Sequence, residues 1–191
     1  MKLLCLALLA TSASAINYSW KISDFQGHFV DLHNGGRANF TPIHSFATDT
    51  GSKNQEWGLI SNRATPLLYV AVNQKSSVGS QMAHTTGLVA GYTSPPGPPA
   101  VHAQVVGGTG KNFWWMLDYM NATESAMAGF RFIDYESGLA LTAWPAKKGF
   151  PSSPLTLEFL DVDNEKQAFN LTCVENISFG RPCEENTVLV G

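Results

Sequence analysis

Asn54-Gln55-Glu56-Trp57-Gly58-Leu59, Asn112-Phe113-Trp114-Trp115-Met116-Leu117 and Lys166-Gln167-Ala168-Phe169-Asn170-Leu171 each bring a Gln- or Asn-type residue and a large aromatic together ahead of an apolar residue. From Trp57 to Trp115 is 58 positions and from Trp115 to Phe169 is 54. Recurrence at near-constant spacing implies one unit built three times, each copy giving an aromatic ring to a shared core.

Outward from these motifs the chain alternates short apolar runs, rich in Val, Ile, Leu and aromatics, with Gly, Asn, Ser and Pro. That texture reads as strands and turns, and no window holds a long 3.6-residue apolar period. Strands are expected near residues 18–22, 28–33, 43–46, 55–60, 67–73, 80–84, 101–105, 113–118, 129–134, 138–143, 155–160 and 167–172. This gives four strands per copy, the copies running about 16–60, 61–118 and 119–173, with a tail at 174–191. Gly91-Tyr92-Thr93-Ser94-Pro95-Pro96-Gly97-Pro98-Pro99 in the middle copy reads as an inserted loop without regular structure. A second pattern precedes each aromatic: Gly27-His28-Phe29-Val30-Asp31-Leu32, Leu68-Tyr69-Val70-Ala71-Val72 and Gly138-Leu139-Ala140-Leu141-Thr142. Its outer positions should face the core, and its middle one (Asp31, Ala71 or Ala140) should point away.

The chain has 191 residues, enough for one domain with a sizeable core. Lys2, the apolar run from Leu3 to Ala10 and the Ala13-Ser14-Ala15 end make residues 1–15 a secretory signal peptide. No run approaches the roughly 20 apolar residues of a membrane span, so an exported protein without membrane insertion is expected. Sequons at Asn17, Asn39, Asn121, Asn170 and Asn176 fit a secreted glycoprotein. Removing the leader leaves Cys173 and Cys183, read as a disulfide worth about 2–3 kcal/mol that pins the tail. Net charge is −3, and no Lys/Arg cluster exceeds Lys147-Lys148, so nucleic acid has no electrostatic basis as a partner.

Together these residues resemble the ricin B-type lectins, all-β modules of the β-trefoil fold whose three subdomains each end in a Gln-x-Trp signature. Gln55-Glu56-Trp57 matches in full; Gln167-Ala168-Phe169 has Phe for Trp, and Asn112-Phe113-Trp114-Trp115 loses the Gln. The resemblance covers about residues 18–172 and implies pseudo-threefold symmetry. It also implies a sugar pocket in one subdomain, built from an Asp, a polar residue two before an aromatic platform, and an Asn before the Gln-x-Trp. In the first copy these positions are Asp31, His44, Phe46 and Asn54 with Gln55; His44 stands where the family often has Gln and Phe46 where it often has Trp or Tyr. Gln55 and Gln167 are read in the first place as structural partners of nearby backbone, ahead of a ligand role. Ala71 and Ala140, offering no acceptor, leave the other two copies silent. A glycan on Asn39, between Asp31 and His44, would crowd the pocket.

The residue types suit sugars without the family. A carboxylate accepts two hydrogen bonds from adjacent hydroxyls, an amide both donates and accepts, and an aromatic face covers the C–H patch of a pyranose. Glycans or glycoproteins are therefore the expected partners. Gly-x-Ser-x-Gly, His-Glu-x-x-His and Cys-x-x-Cys motifs are missing from the sequence, so no catalysis, metal or cofactor is expected. Gly107-Gly108-Thr109-Gly110-Lys111-Asn112 reads as a turn rather than a phosphate loop, Asp161-Val162-Asp163-Asn164-Glu165 as a solvated acidic turn rather than a calcium loop, and His28, His33, His84 and His102 as solvated or structural. The competing expectation is a trefoil that binds a protein target through its loops, such as a protease inhibitor.

Overall fold

The computed structural model describes residues 18–62, 65–74, 89–92, 100–108, 113–119, 129–176 and 181–183. Residues 1–15, expected to be a signal peptide, Asn17, the expected strand at 80–84, residues 93–99, Asn121 and residues 184–191 lie outside them. Among the described residues thirteen strands carry the fold: β1 Tyr18–Ser23, β2 Phe29–Leu32, β3 Thr41–Phe46, β4 Trp57–Asn62, β5 Thr65–Asn73, β6 Val89–Tyr92, β7 Ala103–Gly108, β8 Trp115–Tyr119, β9 Phe130–Asp134, β10 Ala140–Ala143, β11 Ser152–Glu158, β12 Asn170–Asn176 and β13 Arg181–Pro182. The helical content among the described residues is three short 3-10 turns, two of them holding Gln55 and Gln167 just before their aromatics.

β1, β4, β5, β8, β9 and β12 pair in a ring, which closes where Phe130 bridges to Phe169. A closed ring leaves no edge open to another chain. The remaining strands form three hairpins, β2–β3, β6–β7 and β10–β11, which pair with one another across the barrel's end through β3, β7 and β11. This is a β-trefoil, a six-stranded barrel capped by a triangle of hairpins.

The threefold relation is carried residue by residue in the core. Ile22, Ala71 and Phe132 hold one position; Val30, Ala90 and Leu141 the next; Ile43, Val105 and Leu155 the third. With Trp57 and Trp115 they line a small apolar cavity of about 20 Å³ at the centre. Trp20, Tyr69 and Phe130 form a further buried layer. The Trp57 indole N–H donates to the Val30 carbonyl at 2.9 Å, and that of Trp115 to the Ala90 carbonyl at 3.0 Å.

Those two bonds correct the register expected for the second pattern. Leu68 to Val72 belongs to β5, a barrel strand, and Ala71 faces the core instead of pointing away. The true counterpart of Val30-Asp31-Leu32 is Ala90-Gly91-Tyr92, because Trp115 bonds to Ala90 as Trp57 bonds to Val30. Gly91 and Tyr92 therefore lie in a strand and not in the inserted loop. In the third repeat Leu141 is the core residue, so Thr142 stands in Asp31's place and Ala140 two positions before it. The sequence alternation looked alike in β5 and β2 because both put every second side chain into the core.

Two buried phenols set the alkaline limit of the fold. Burial and the neighbouring Tyr119 push the Tyr69 hydroxyl up to about 12. Burial raises that of Tyr92 further still, helped by the charges of Asp134 and Glu136. A group whose folded value lies above the unfolded one, roughly 10 for Tyr, stabilises fully below that pH and loses its contribution as pH rises through the folded value. Tm should thus be flat on their account to about pH 10 and fall beyond it, tyrosinate absorbance rising with unfolding; Tyr92→Phe should soften that fall. Replacing Trp57 by Phe keeps most of the ring but takes a buried donor from the Val30 carbonyl, and should cost about 1–3 kcal/mol in a urea titration. Trp57→Ala should cost about 3–5 kcal/mol.

Candidate functional site

The β2–β3 hairpin pairs Phe29 with Phe46, Val30 with Ser45, Asp31 with His44 and Leu32 with Ile43. Val30, Leu32, Ile43 and Ser45 point inward and are buried, so period-two alternation sets Asp31, His44 and Phe46 on the outer face. His44 Nε2 lies 3.2 Å from Asp31 Oδ1. The Phe46 ring stacks on the His44 imidazole, centroids 5.7 Å apart at 22°, and His33 meets the same imidazole edge-on at 5.0 Å. This histidine cover leaves Asp31 only 5% exposed. The structure thus brings Asp31, His44 and Phe46 into one cluster, with the acid lying deep in it.

Asn54 stands on the 3-10 turn Lys53–Gln55, which packs against β2. The Ser52 hydroxyl caps that turn, accepting from the Asn54 N–H at 3.2 Å. Asn73 Nδ2 holds the Asn54 carbonyl at 2.8 Å. The Asn54 Oδ1 is buried with no hydrogen-bond partner among the described residues.

Gln55 departs from the ligand role that the resemblance implied. It is fully buried; its Nε2 donates to the Thr48 carbonyl and its Oε1 accepts from the Thr50 N–H. Gln167 makes the equivalent bonds to the Phe159 carbonyl and the Asp161 N–H. Both glutamines bolt a loop to the barrel, which is why the turn carrying Asn54 holds its position. Below the hairpin, Asp24 is equally spent on structure. It accepts from the Ser45 hydroxyl at 2.6 Å and from the N–H groups of Gln26 and His28.

Two neighbours had no sequence signal. His33, read as solvated or structural, ends against His44 because β2 runs into the 3-10 turn His33–Gly35 there. Pro154 comes from the third repeat, since β11 pairs Ser152 with Phe46 and Pro154 with His44. Contacts across repeats follow from the symmetry of the cap and not from any spacing within one copy.

The same positions in the other repeats differ. In the second, Gly91 stands in Asp31's place, and a Cβ there would meet the Phe113 ring at 2.1 Å. The position is filled by an aromatic ring and holds no acceptor. In the third, Thr142 accepts from Gln167 Nε2 at 3.1 Å. The polar set of the first repeat is thus absent from both, although the residues responsible are Gly91 and Thr142 instead of Ala71 and Ala140.

Asn39 is exposed, as is Asn170 on β12; the Asn176 side chain lies outside the described part. Cys173 and Cys183 form the disulfide, tying the chain after β13 to β12. The Phe40 N–H beside Asn39 donates to the Gly107 carbonyl of the second repeat at 2.8 Å, whereas Phe46 abuts Ser152 of the third. Asn39 and Phe46 therefore sit at opposite ends of β3, and a glycan on Asn39 would grow from the end away from Phe46. Asn39→Gln should leave binding to immobilised glycans within about twofold of wild type; a large gain would mean that the Asn39 glycan covers the site.

No family model and no curated protein matches the sequence. Solved structures do match in shape. The designed threefold-symmetric protein ThreeFoil superposes with a TM-score of 0.61 at 15% identity, covering 80% of this chain and 96% of its own. The Rhizoctonia solani agglutinin gives 0.61 at 19%, covering 85% and 97%. The C-terminal domain of the earthworm lectin, a mutant in complex with 6'-sialyllactose, gives 0.53 at 10%, covering 82% and 98%. At these identities the likeness establishes the fold, and this chain shares the β-trefoil.

Proposed function

We propose that this chain is a secreted carbohydrate-binding protein, lectin-like and not catalytic, with a sugar site in its first repeat. The observation that carries the reading is the meeting of Asp31, His44 and Phe46 on one outer face, with the unpartnered Asn54 Oδ1 beside β2. Asp31 retains acceptor capacity beyond its contact with His44, because an ionised carboxylate offers about four lone-pair sites. Phe46 supplies the apolar face against which a pyranose ring packs. The agglutinin and the earthworm lectin among the structural neighbours support the reading as analogy of fold.

One shallow pocket gives a monosaccharide only about millimolar affinity, near −4 kcal/mol. Useful avidity then comes from larger glycans or clustered display. The leader at residues 1–15, the sequons and the disulfide fit an extracellular glycoprotein that meets glycans on other molecules. No helix among the described residues is long and apolar enough to cross a membrane.

A second reading rests on the loop Phe159-Leu160-Asp161-Val162. Phe159 is 74% exposed, and Leu160 and Val162 are exposed with it, on a loop held by a hydrogen bond from Arg131 to the Val162 carbonyl. Apolar side chains on a fixed loop suit a protein target, such as a protease. A glycan array read with wild type, Asp31→Ala and Phe159→Ser separates the two. The sugar reading expects Asp31→Ala to lose at least tenfold in signal and Phe159→Ser to change little. Glycan binding indifferent to Asp31→Ala removes the first-repeat site from the account.

A further inference from the structure

On the cap's outer face the first-repeat cluster does not end at its own hairpin. β11 carries Pro154, Thr156 and Glu158 on alternate positions of that face, and Pro154 stands beside His44. Four residues of strand place Glu158 about 13 Å beyond Pro154. Around that far end the third repeat gathers a second polar cluster. The Trp144 indole N–H donates to Thr156 Oγ1 at 2.8 Å, and that hydroxyl donates to Glu158 Oε1 at 2.6 Å. His102, contributed by the second repeat, approaches Glu158 Oε2 to 2.8 Å.

The placement follows the symmetry. An acid and an aromatic recur together in the third repeat, but at other positions: Glu158 stands where the first repeat has Phe46, and Trp144 where it has His33. His102 is held at φ 70, a left-handed conformation uncommon for a residue with a side chain, and its ring is 77% exposed. Between the two clusters Pro42, Gln104 and Pro154 are all exposed, so nothing described closes the surface there.

We propose that the two clusters are subsites of one strip that takes a neutral oligosaccharide, one sugar unit over Asp31, His44 and Phe46 and a later unit over Trp144 and Glu158. Each acid is already faced by a histidine, and the Lys166 ammonium lies 5.1 Å from the centre of the Trp144 ring. Acids and bases are thus interspersed, and the strip lacks the run of one charge sign that a sulfated or uronic chain would need. Hydroxyls find an acceptor at both ends, and Pro154 supplies an apolar floor between them. This inference rests on the sugar site proposed for the first repeat and extends it across a repeat boundary.

The test is an array of neutral glycans graded from one to several units, with sulfated and sialylated glycans beside them. It is read with wild type, Asp31→Ala, Trp144→Ala and Glu158→Gln, each checked for a wild-type unfolding transition. Wild type should gain at least tenfold from the shortest to the longer neutral members. Glu158→Gln, which is nearly isosteric, and Trp144→Ala should each lose most of that gain while the single-sugar signal holds. Asp31→Ala should lose both. A length gain missing from wild type, or surviving in both Glu158→Gln and Trp144→Ala, overturns the strip while Asp31-dependent binding leaves the first site standing. A preference for the anionic members overturns it as well. Absence of any glycan signal sinks the strip together with the first site.

Discussion

The Trp57 indole joins the two layers of this molecule. Its ring fills the barrel, and its N–H crosses to the Val30 carbonyl in the β2–β3 hairpin. Trp115 does the same toward Ala90. A neutral hydrogen bond nets only about 1 kcal/mol, yet one left unmade in a dry core costs more than that. The bond therefore works chiefly as a register pin. It decides which hairpin residue faces in, and hence which neighbour faces out. Asp31 stands on the outer face because Val30 is held on the inner one.

Around that pin, buried polar groups are spent on rigidity. Gln55 and Gln167 each close a loop against the barrel, and Asp24 gathers the turn between β1 and β2 and the hydroxyl of Ser45. Lys21 bonds to Asp49 at 2.7 Å in the loop that Gln55 holds. That bond, with the Gly51 N–H, keeps the Asp49 carboxyl below its ordinary range. Such support would let the proposed site present fixed acceptors to a sugar, because little ordering would remain to be done on binding. Asn54 Oδ1 is by contrast buried and unmatched, as are a few other buried polar atoms such as the Ser19 and Ser153 hydroxyls. It alone of these stands on the turn packed against β2, beside the cluster's hairpin.

The threefold architecture was legible in the three aromatic motifs, because a ring that must be buried recurs wherever the unit does. Four-strand repeats and the Asp31, His44 and Phe46 cluster followed from it. Register within the second and third copies did not. β5 alternates apolar residues as β2 does, and only the indole–carbonyl bonds tell a barrel strand from a cap strand. Gly91 was hidden for a physical reason, since a glycine beside a proline-rich stretch reads as a loop, whereas here it admits the Phe113 ring. The roles of Pro154, His33 and His102 depend on contacts between elements that no local spacing records.

The central claim is that one outer face of the β2–β3 hairpin receives a sugar. It is tested most directly by nuclear magnetic resonance titration of the isotope-labelled protein with galactose, N-acetylgalactosamine, glucose and mannose in turn. For at least one of them, shifts should gather on Asp31, His33, His44, Phe46 and Asn54 and saturate in the millimolar range. Shifts centred on Phe159 to Val162, or no saturable shift with any of the four, would contradict it.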